Sequence, residues 1–348
     1  MGSYPIYEGR ILLFLIIFSP SRYLFIRTLI LGIVVSICAN SWFGAWIGLE
    51  LNLLSFIPLI TIKDNQYSSE AALKYFLIQA LGSTILLISG IIIMMKRQIF
   101  TASLSAALLL KAGSAPFHFW FPPTLEGIIW TQALILITIQ KITPLSLLSY
   151  YVSEQIRLIS LAIILSAIVG ALGGLNQTLL RKLLAYSSIN HIAWIISALI
   201  IRERIWLIYF TLYSFISLSI IIMLYFTQTF HFNHLVNKLA RKPVFKLTLF
   251  IRFLSLGGLP PFTGFIPKWL VIQQLSLTNN FLLIIVLLAS SLFTLFYYLR
   301  ITLSSFIIKS IKIKWVTKKN IEIKIIFIVL MINFIGLLIS RMIYSLLI

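Results

Sequence analysis

The sequence predicts an all-α membrane protein of about eleven transmembrane helices. Three observations carry that prediction. Of the 348 residues 60% are apolar and only 10% charged, and the mean hydropathy is +1.04, a combination that water-soluble domains of this length do not show. Apolar runs of about 20 residues, long enough to cross roughly 30 Å of hydrocarbon, recur from end to end. Those runs do not alternate as barrel strands do, so the backbone must satisfy itself within helices.

Read between polar punctuation, the spans fall near 22–40, 42–61, 69–95, 100–121, 124–148, 155–172, 176–200, 203–227, 244–275, 280–307 and 322–347. Residues 1–21 form an N-terminal extension, interfacial or poorly ordered. Its apolar core, Ile11 to Phe18, is too short to span, and Ser19-Pro20-Ser21 stops a helix. That core also lacks the small-residue cleavage pattern of a secretory signal. Residues 22–348 form one transmembrane domain.

The second span holds Glu50, in Trp46-Ile-Gly-Leu-Glu50-Leu-Asn52, one of only eight carboxylates in the chain and the one near mid-span. An ionised group there costs several kcal/mol unless paired or hydrated, which marks it as functional; the alternative is a Glu held by Asn52 purely for packing. The third span opens on Glu70-Ala-Ala-Leu-Lys74, whose i,i+4 spacing suits either a relay lysine or an ordinary ion pair at a helix start. The fourth carries Lys111 at its centre and the fifth Lys141 late in its course. In the seventh, Arg181 and Lys182 read as topogenic, while His191 is deeper and serves equally as proton carrier or satisfied core histidine. Lys268 lies in the ninth. Each lysine at depth has snorkelling to the headgroups as its bland alternative. A desolvated lysine has its pKa lowered toward neutrality and a nearby carboxylate raises it again, so small rearrangements load or unload a proton.

Prolines suggest how water reaches these groups. Within predicted helices, Pro116 frees the carbonyl of Ala112 beside Lys111, Pro260 and Pro261 free those of Leu256 and Gly257 ahead of Lys268, and Pro144 frees that of Gln140 next to Lys141. Broken helices inside membrane proteins line hydrated cavities. Gly113-Ser-Ala-Pro116-Phe117-His-Phe-Trp-Phe-Pro122 and Gly258-Leu-Pro-Pro261-Phe262-Thr-Gly-Phe-Ile-Pro267 share the pattern G-x-x-P-F-x-x-x-x-P, in spans of opposite direction, which an inverted-topology repeat requires and chance recurrence in a Pro-rich membrane protein equally produces.

The net charge of +20 arises from 28 basic residues scattered through short loops, with no extended basic arm, so no nucleic-acid partner is expected. Topology explains it better. With the N-terminus inside, basic residues concentrate in the inside segments, among them Lys63, Arg181, Lys182, Lys238, Arg241, Lys242 and the run from Lys309 to Lys319. An odd helix count then puts the C-terminus outside. The single cysteine, Cys38, rules out a disulfide framework and a Cys-based zinc site and reads as a packing residue.

The strings Ser41-Trp-Phe-Gly-Ala-Trp-Ile-Gly-Leu-Glu50-Leu-Asn-Leu-Leu-Ser-Phe-Ile-Pro58, Glu70-Ala-Ala-Leu-Lys74-Tyr-Phe, Ala115-Pro-Phe-His-Phe-Trp120, Gly173-Gly-Leu-Asn-Gln-Thr178, Arg181-Lys-Leu-Leu-Ala-Tyr-Ser-Ser188 and Leu256-Gly-Gly-Leu-Pro-Pro-Phe-Thr-Gly-Phe-Ile-Pro-Lys-Trp269 closely resemble the subunit 2 family of mitochondrial NADH:ubiquinone oxidoreductase, respiratory complex I, in wording most similar to arthropod versions. The resemblance runs from about residue 22 to the C-terminus; residues 1–21 depart from the usual start of the family. It implies an antiporter-like fold with inverted repeats and broken helices, in an eleven-helix form lacking three N-terminal helices of bacterial counterparts.

It also implies a place in the proton-pumping membrane arm, in the mitochondrial inner membrane, with the N-terminus on the matrix side and the C-terminus toward the intermembrane space. FMN, the iron-sulfur clusters and ubiquinone belong to other subunits, so this chain carries no cofactor and no catalytic redox or metal site. The implied partners are other complex I subunits, especially neighbouring antiporter-like ones, and lipids such as cardiolipin. Family roles carry over to Glu50 with Lys111 as a coupled ion pair, Lys141 as central relay lysine, Lys268 as the terminal one toward the next antiporter-like subunit, and Lys74 as a further axis residue. The rival function is a stand-alone cation/proton antiporter, and a membrane scaffold comes third.

Overall fold

Residues 20–62, 65–94, 100–239 and 243–307 are described by the structure, a computed structural model. Apart from an isolated bridge between Leu179 and His231, the regular structure among them is helical. In chain order the helices are α1 (Pro20–Cys38), α2 (Trp42–Ile60), α3 (Gln66–Met94), α4 (Thr101–Ala112), α5 (Phe121–Gly127), α6 (Trp130–Ile137), α7 (Ile139–Ser149), α8 (Ile156–Gly174), α9 (Leu180–Ile201), α10 (Glu203–Thr227), α11 (Phe232–Leu239), α12 (Pro243–Gly257), α13 (Phe265–Leu277) and α14 (Phe281–Ile307).

Eight stretches among the described residues are long and apolar enough to cross a membrane: α1, α2, α3, the α6–α7 pair, α8, α9, α10 and α14. The predicted fourth and ninth spans each appear as two helices around a turn, α4 with α5 and α12 with α13. The expected division between the fourth and fifth spans, near residues 121–124, falls inside α5. Pro122 occupies the first turn of α5, where a missing N–H costs nothing, and the real boundary is the extended Ile128–Ile129 before Trp130. The predicted span 322–347 and residues 1–19 lie outside the described residues, while Pro20 and Ser21 already belong to α1.

α9 is the central element, packed against α5, α8, α10, α13 and α14. Nearly every residue from Leu183 to Leu199 is buried. The sequence accounts for this: a helix apolar on all sides has no solvent face to present and goes to the interior. The polar residues it does carry, Ser187, Ser188, Asn190 and His191, are therefore enclosed by protein. The outer helices are the reverse case, with Leu24, Leu31, Leu73, Leu77, Leu282 and Leu292 exposed on the perimeter, as expected of a surface that meets lipid or other subunits.

Candidate functional site: a row of buried cations at helix breaks

Both G-x-x-P-F-x-x-x-x-P segments fold alike, and the fold explains the pattern. α4 ends at Gly113, with φ +75, and α12 runs into Gly258, with φ +78, a left-handed conformation that favours glycine. The N–H of Gly113 donates to the Leu110 carbonyl and that of Ser114 to Leu109, both at 3.1 Å; Gly258 donates to Ser255 at 3.1 Å and Leu259 to Leu254 at 3.4 Å. These are two copies of one helix-ending motif. Pro116, Pro260 and Pro261 fall in the links beyond it, so the expectation that they interrupt helices from within is corrected: glycine ends each helix first. Ala115–Pro116 is cis. The last proline of each repeat, Pro122 or Pro267, lies in the first turn of the following helix.

Ending a helix inside a bundle leaves carbonyls to satisfy. At the first break the indole of Trp120 donates to Leu110 at 3.1 Å and the amide of Gln79 to Lys111 at 3.4 Å. At the second, the Lys268 ammonium donates to the Gly257 carbonyl at 2.9 Å, so this lysine, 5% exposed, is held at the carbonyl end of α12, where a positive charge is favoured. It also stands 5.5 Å above the Trp194 ring.

A third interruption lies at Thr138, between α6 and α7. Pro144 sits inside α7, and the break precedes Lys141 instead of following it. The Lys141 ammonium is 2% exposed, has no hydrogen-bond acceptor among the described residues and lies 4.5 Å over the Phe121 ring. At 1.5 Å per residue, Lys141 is about 17 Å from the start of its crossing, Lys111 about 15 Å from the start of α4 and His191 about 17 Å into α9, so each lies about three turns in from a helix start.

Lys111 and Lys141 line one small cavity with Asn52, Tyr75, Gln79 and Gln140, of about 10 Å³, room for about one water. Gln140 organises its wall: its amide nitrogen donates to Asn52 Oδ1 at 2.9 Å, and its carbonyl accepts from the Tyr75 hydroxyl at 3.2 Å. Glu50, on α2, is half-buried and within electrostatic reach of Lys111, but the two make no direct ion pair. On the other side His191 is buried one turn before Trp194, the residue under the Lys268 ammonium, and its Nδ1 is 3.1 Å from the Tyr209 hydroxyl. The structure thus brings together Glu50, Lys111, Lys141, His191 and Lys268. It does not bring Lys74 into that row: Lys74 is exposed on α3 and pairs with Glu70 at 2.5 Å.

Sequence reasoning missed several polar residues. Gln79, Gln132 and Gln140 pass as ordinary polar letters in apolar helices, and Asn52 reads only as a packing partner for Glu50, yet Asn52, Gln79 and Gln132 are buried and Gln140 is half-buried. Arg252 is fully buried in α12, and a lone arginine in Phe250-Ile-Arg252-Phe was a visible signal. Tyr209, Tyr213, Tyr297 and Tyr298 are also buried; their letters carry no such signal, because tyrosine is common at membrane interfaces.

A bundle of apolar helices, two of its crossings broken at left-handed glycines and three buried lysines gathered at the breaks, defines a class: multi-span membrane proteins that keep switchable charge at hydrocarbon depth. Residues 39–99 and 94–294 match the family described as NADH:quinone oxidoreductase/Mrp antiporter, TM. The chain belongs to that family. Among its relatives are proteins named NADH-ubiquinone oxidoreductase chain 2, from Anopheles gambiae at 46% identity, covering 93% of this chain and 98% of that one, and from Aedes aegypti at 47%, covering 94% and 99%. Among solved structures, respiratory complex I from Thermus thermophilus with bound aureothin contains a chain that superposes with a TM-score of 0.76 at 26% identity, over 84% of this chain and 72% of that one.

Proposed function

We propose that this chain moves protons as a membrane-arm subunit of an NADH:ubiquinone oxidoreductase, through a mid-membrane relay of Glu50, Lys111, Lys141, His191 and Lys268. Family membership and relatives at 46–47% identity over nearly the full chain support the assignment to that enzyme. The relay rests on one observation: Lys111 and Lys141 share a cavity, and Lys268 stands over Trp194, one turn along α9 from His191, so the groups follow one another through the interior. Two unit charges about 6 Å apart at an effective dielectric near 20 interact by roughly 3 kcal/mol, or about two pKa units, enough to switch occupancy. NADH oxidation and quinone reduction take place in other subunits, where FMN, iron-sulfur clusters and ubiquinone reside.

The reading extends to an eleven-helix form with inverted repeats, in the mitochondrial inner membrane, with the N-terminus on the matrix side and the C-terminus toward the intermembrane space. Neighbouring antiporter-like subunits and lipids such as cardiolipin cover the apolar perimeter, and Lys268 is the lysine of the row nearest the next such subunit. The test is Lys141→Met in the assembled enzyme, in sealed membrane vesicles. Fewer protons moved per NADH oxidised, with assembly intact, is the expected result; an unchanged ratio defeats the relay. Co-purification with flavin-linked NADH oxidation separates this function from a stand-alone antiporter, which would travel alone.

A further inference from the structure

Four buried tyrosines cluster beside α9, two of them against His191, and phenylalanine would fill their space without the cost of burying a hydroxyl. Tyr209 and Tyr213 come from α10, Tyr297 and Tyr298 from α14, and their exposures are 1%, 4%, 0% and 0%. Tyr209, Tyr213 and Tyr298 meet the polar strip of α9 at His191, Ser188 and Ser187. Tyr209 hydrogen-bonds His191; the Tyr213 ring lies 4.7 Å from the imidazole between centroids, and its hydroxyl lies beside Ser188. Tyr298 is within reach of Ser187 and Tyr297, the two tyrosine rings meeting edge-on at 4.7 Å. Neither the Tyr297 nor the Tyr298 hydroxyl is closed into a direct hydrogen bond of good geometry, so a small rotation makes or breaks the link.

The set has a direction. His191 lies about 17 Å into α9 and Ser187 about 10 Å, so the hydroxyls descend from mid-membrane toward the start of α9. Tyr297 continues the descent: its ring packs so closely on Gly174, the last residue of α8, that a Cβ there would come within 2.7 Å of it. Immediately beyond is the α8–α9 turn, where Asn176 and Thr178 are exposed. Arg300, one turn past Tyr297 on α14 and itself exposed, holds that turn by donating to the carbonyls of Leu175 and Gln177.

We propose that Tyr209, Tyr213, Tyr298 and Tyr297, with Ser187 and Ser188, form a hydroxyl branch that passes protons between the α8–α9 turn at the membrane surface and His191, Tyr209 making the last hydrogen bond. It rests on the relay reading above. Transfer needs no ionised tyrosine: each oxygen takes a proton from one side while its own proton leaves on the other, so one proton enters at Tyr297 and one arrives at His191. Basic-residue asymmetry puts this mouth on the matrix side, which makes it an uptake route.

The experiment compares three forms of the assembled enzyme in sealed inner-membrane vesicles: Tyr213→Phe with Tyr298→Phe, Lys141→Met, and Phe253→Leu. Phe253 packs against Tyr298 at 5.6 Å between centroids and carries no hydroxyl, so it reports packing alone. Expected is a loss of protons moved per NADH oxidised in the double tyrosine variant equal to that in Lys141→Met, with Phe253→Leu at the full ratio. If Lys141→Met loses pumping and the tyrosine variant keeps it, the branch is overturned and the relay stands. Full pumping in both overturns both. An equal loss in Phe253→Leu assigns the effect to packing and also overturns the branch. Ser187→Ala with Ser188→Ala removes two hydroxyls of the same branch without altering a ring and decides the matter should the tyrosine variant assemble poorly.

Discussion

Gly113 and Gly258 end their helices identically, yet alanine should affect them very differently. At both sites it must adopt a left-handed backbone, at a cost of about 1–2 kcal/mol. At Gly113 nothing further happens, because the nearest atoms to the added Cβ, on Phe121 and Trp120, lie at 3.4 Å. At Gly258 the Cβ would come within 2.8 Å of Lys268 Cδ and 3.1 Å of its Cε and Nζ. A lysine side chain moves readily, but moving forfeits the 2.9 Å bond to Gly257. A hydrogen bond to a charged group contributes about 1.5–3 kcal/mol, so an ammonium pushed off this seat gives up a preference for it of roughly 10- to 150-fold. Gly258→Ala should therefore assemble with some loss and pump fewer protons per NADH oxidised, whereas Gly113→Ala should lose a similar amount of assembled enzyme and pump at the full ratio. Native gels report assembly and proton uptake by vesicles reports the ratio. Equal ratios in the two variants would refute the claim that Lys268 works from the carbonyl end of α12.

Gln140→Leu releases Asn52 and Tyr75 at once and should lower the pumping ratio with assembly largely kept, measured in the same vesicles; an unchanged ratio shows that the cavity wall needs no amide. Gly264→Ala would put a Cβ 1.7 Å from the Ser255 carbonyl oxygen and should all but abolish assembly on native gels. Of the neighbouring cations on α9, Lys182 forms a partly exposed pair with Glu126 at 2.8 Å, and Lys182→Met should cost less than ~1 kcal/mol in thermal stability. Arg181→Met should cost more in the same assay, since Arg181 donates to the Ile128 carbonyl and stacks on Phe230 at 4.7 Å.

The long crossings were legible because uninterrupted apolar runs in lipid have few alternatives to helix, and Glu50, Lys111, Lys141 and Lys268 stood out because charge is rare in such runs. The breaks were legible as a repeated motif, though their cause was misread: proline is the louder letter, but glycine acts first by adopting a backbone other residues avoid. The seat of Lys268 was not legible at all, since its acceptor lies 11 residues back and becomes available only once α12 has ended. The buried tyrosines and the Gln140 contacts depend on which faces of separate helices meet, and for apolar helices with little asymmetry between faces the letters do not fix this. Arg181, read as topogenic, is also a structural tie to the end of α5.

The two glycine stops are the same piece of backbone fitted with different fasteners. One closes through the neutral amide of Gln79, which is indifferent to protons; the other closes through the ammonium of Lys268, whose grip on the Gly257 carbonyl weakens once a proton leaves. Two matching breaks thereby differ in kind, one stiff and one responsive to protonation, and in the relay proposed above that inequality would set forward apart from back.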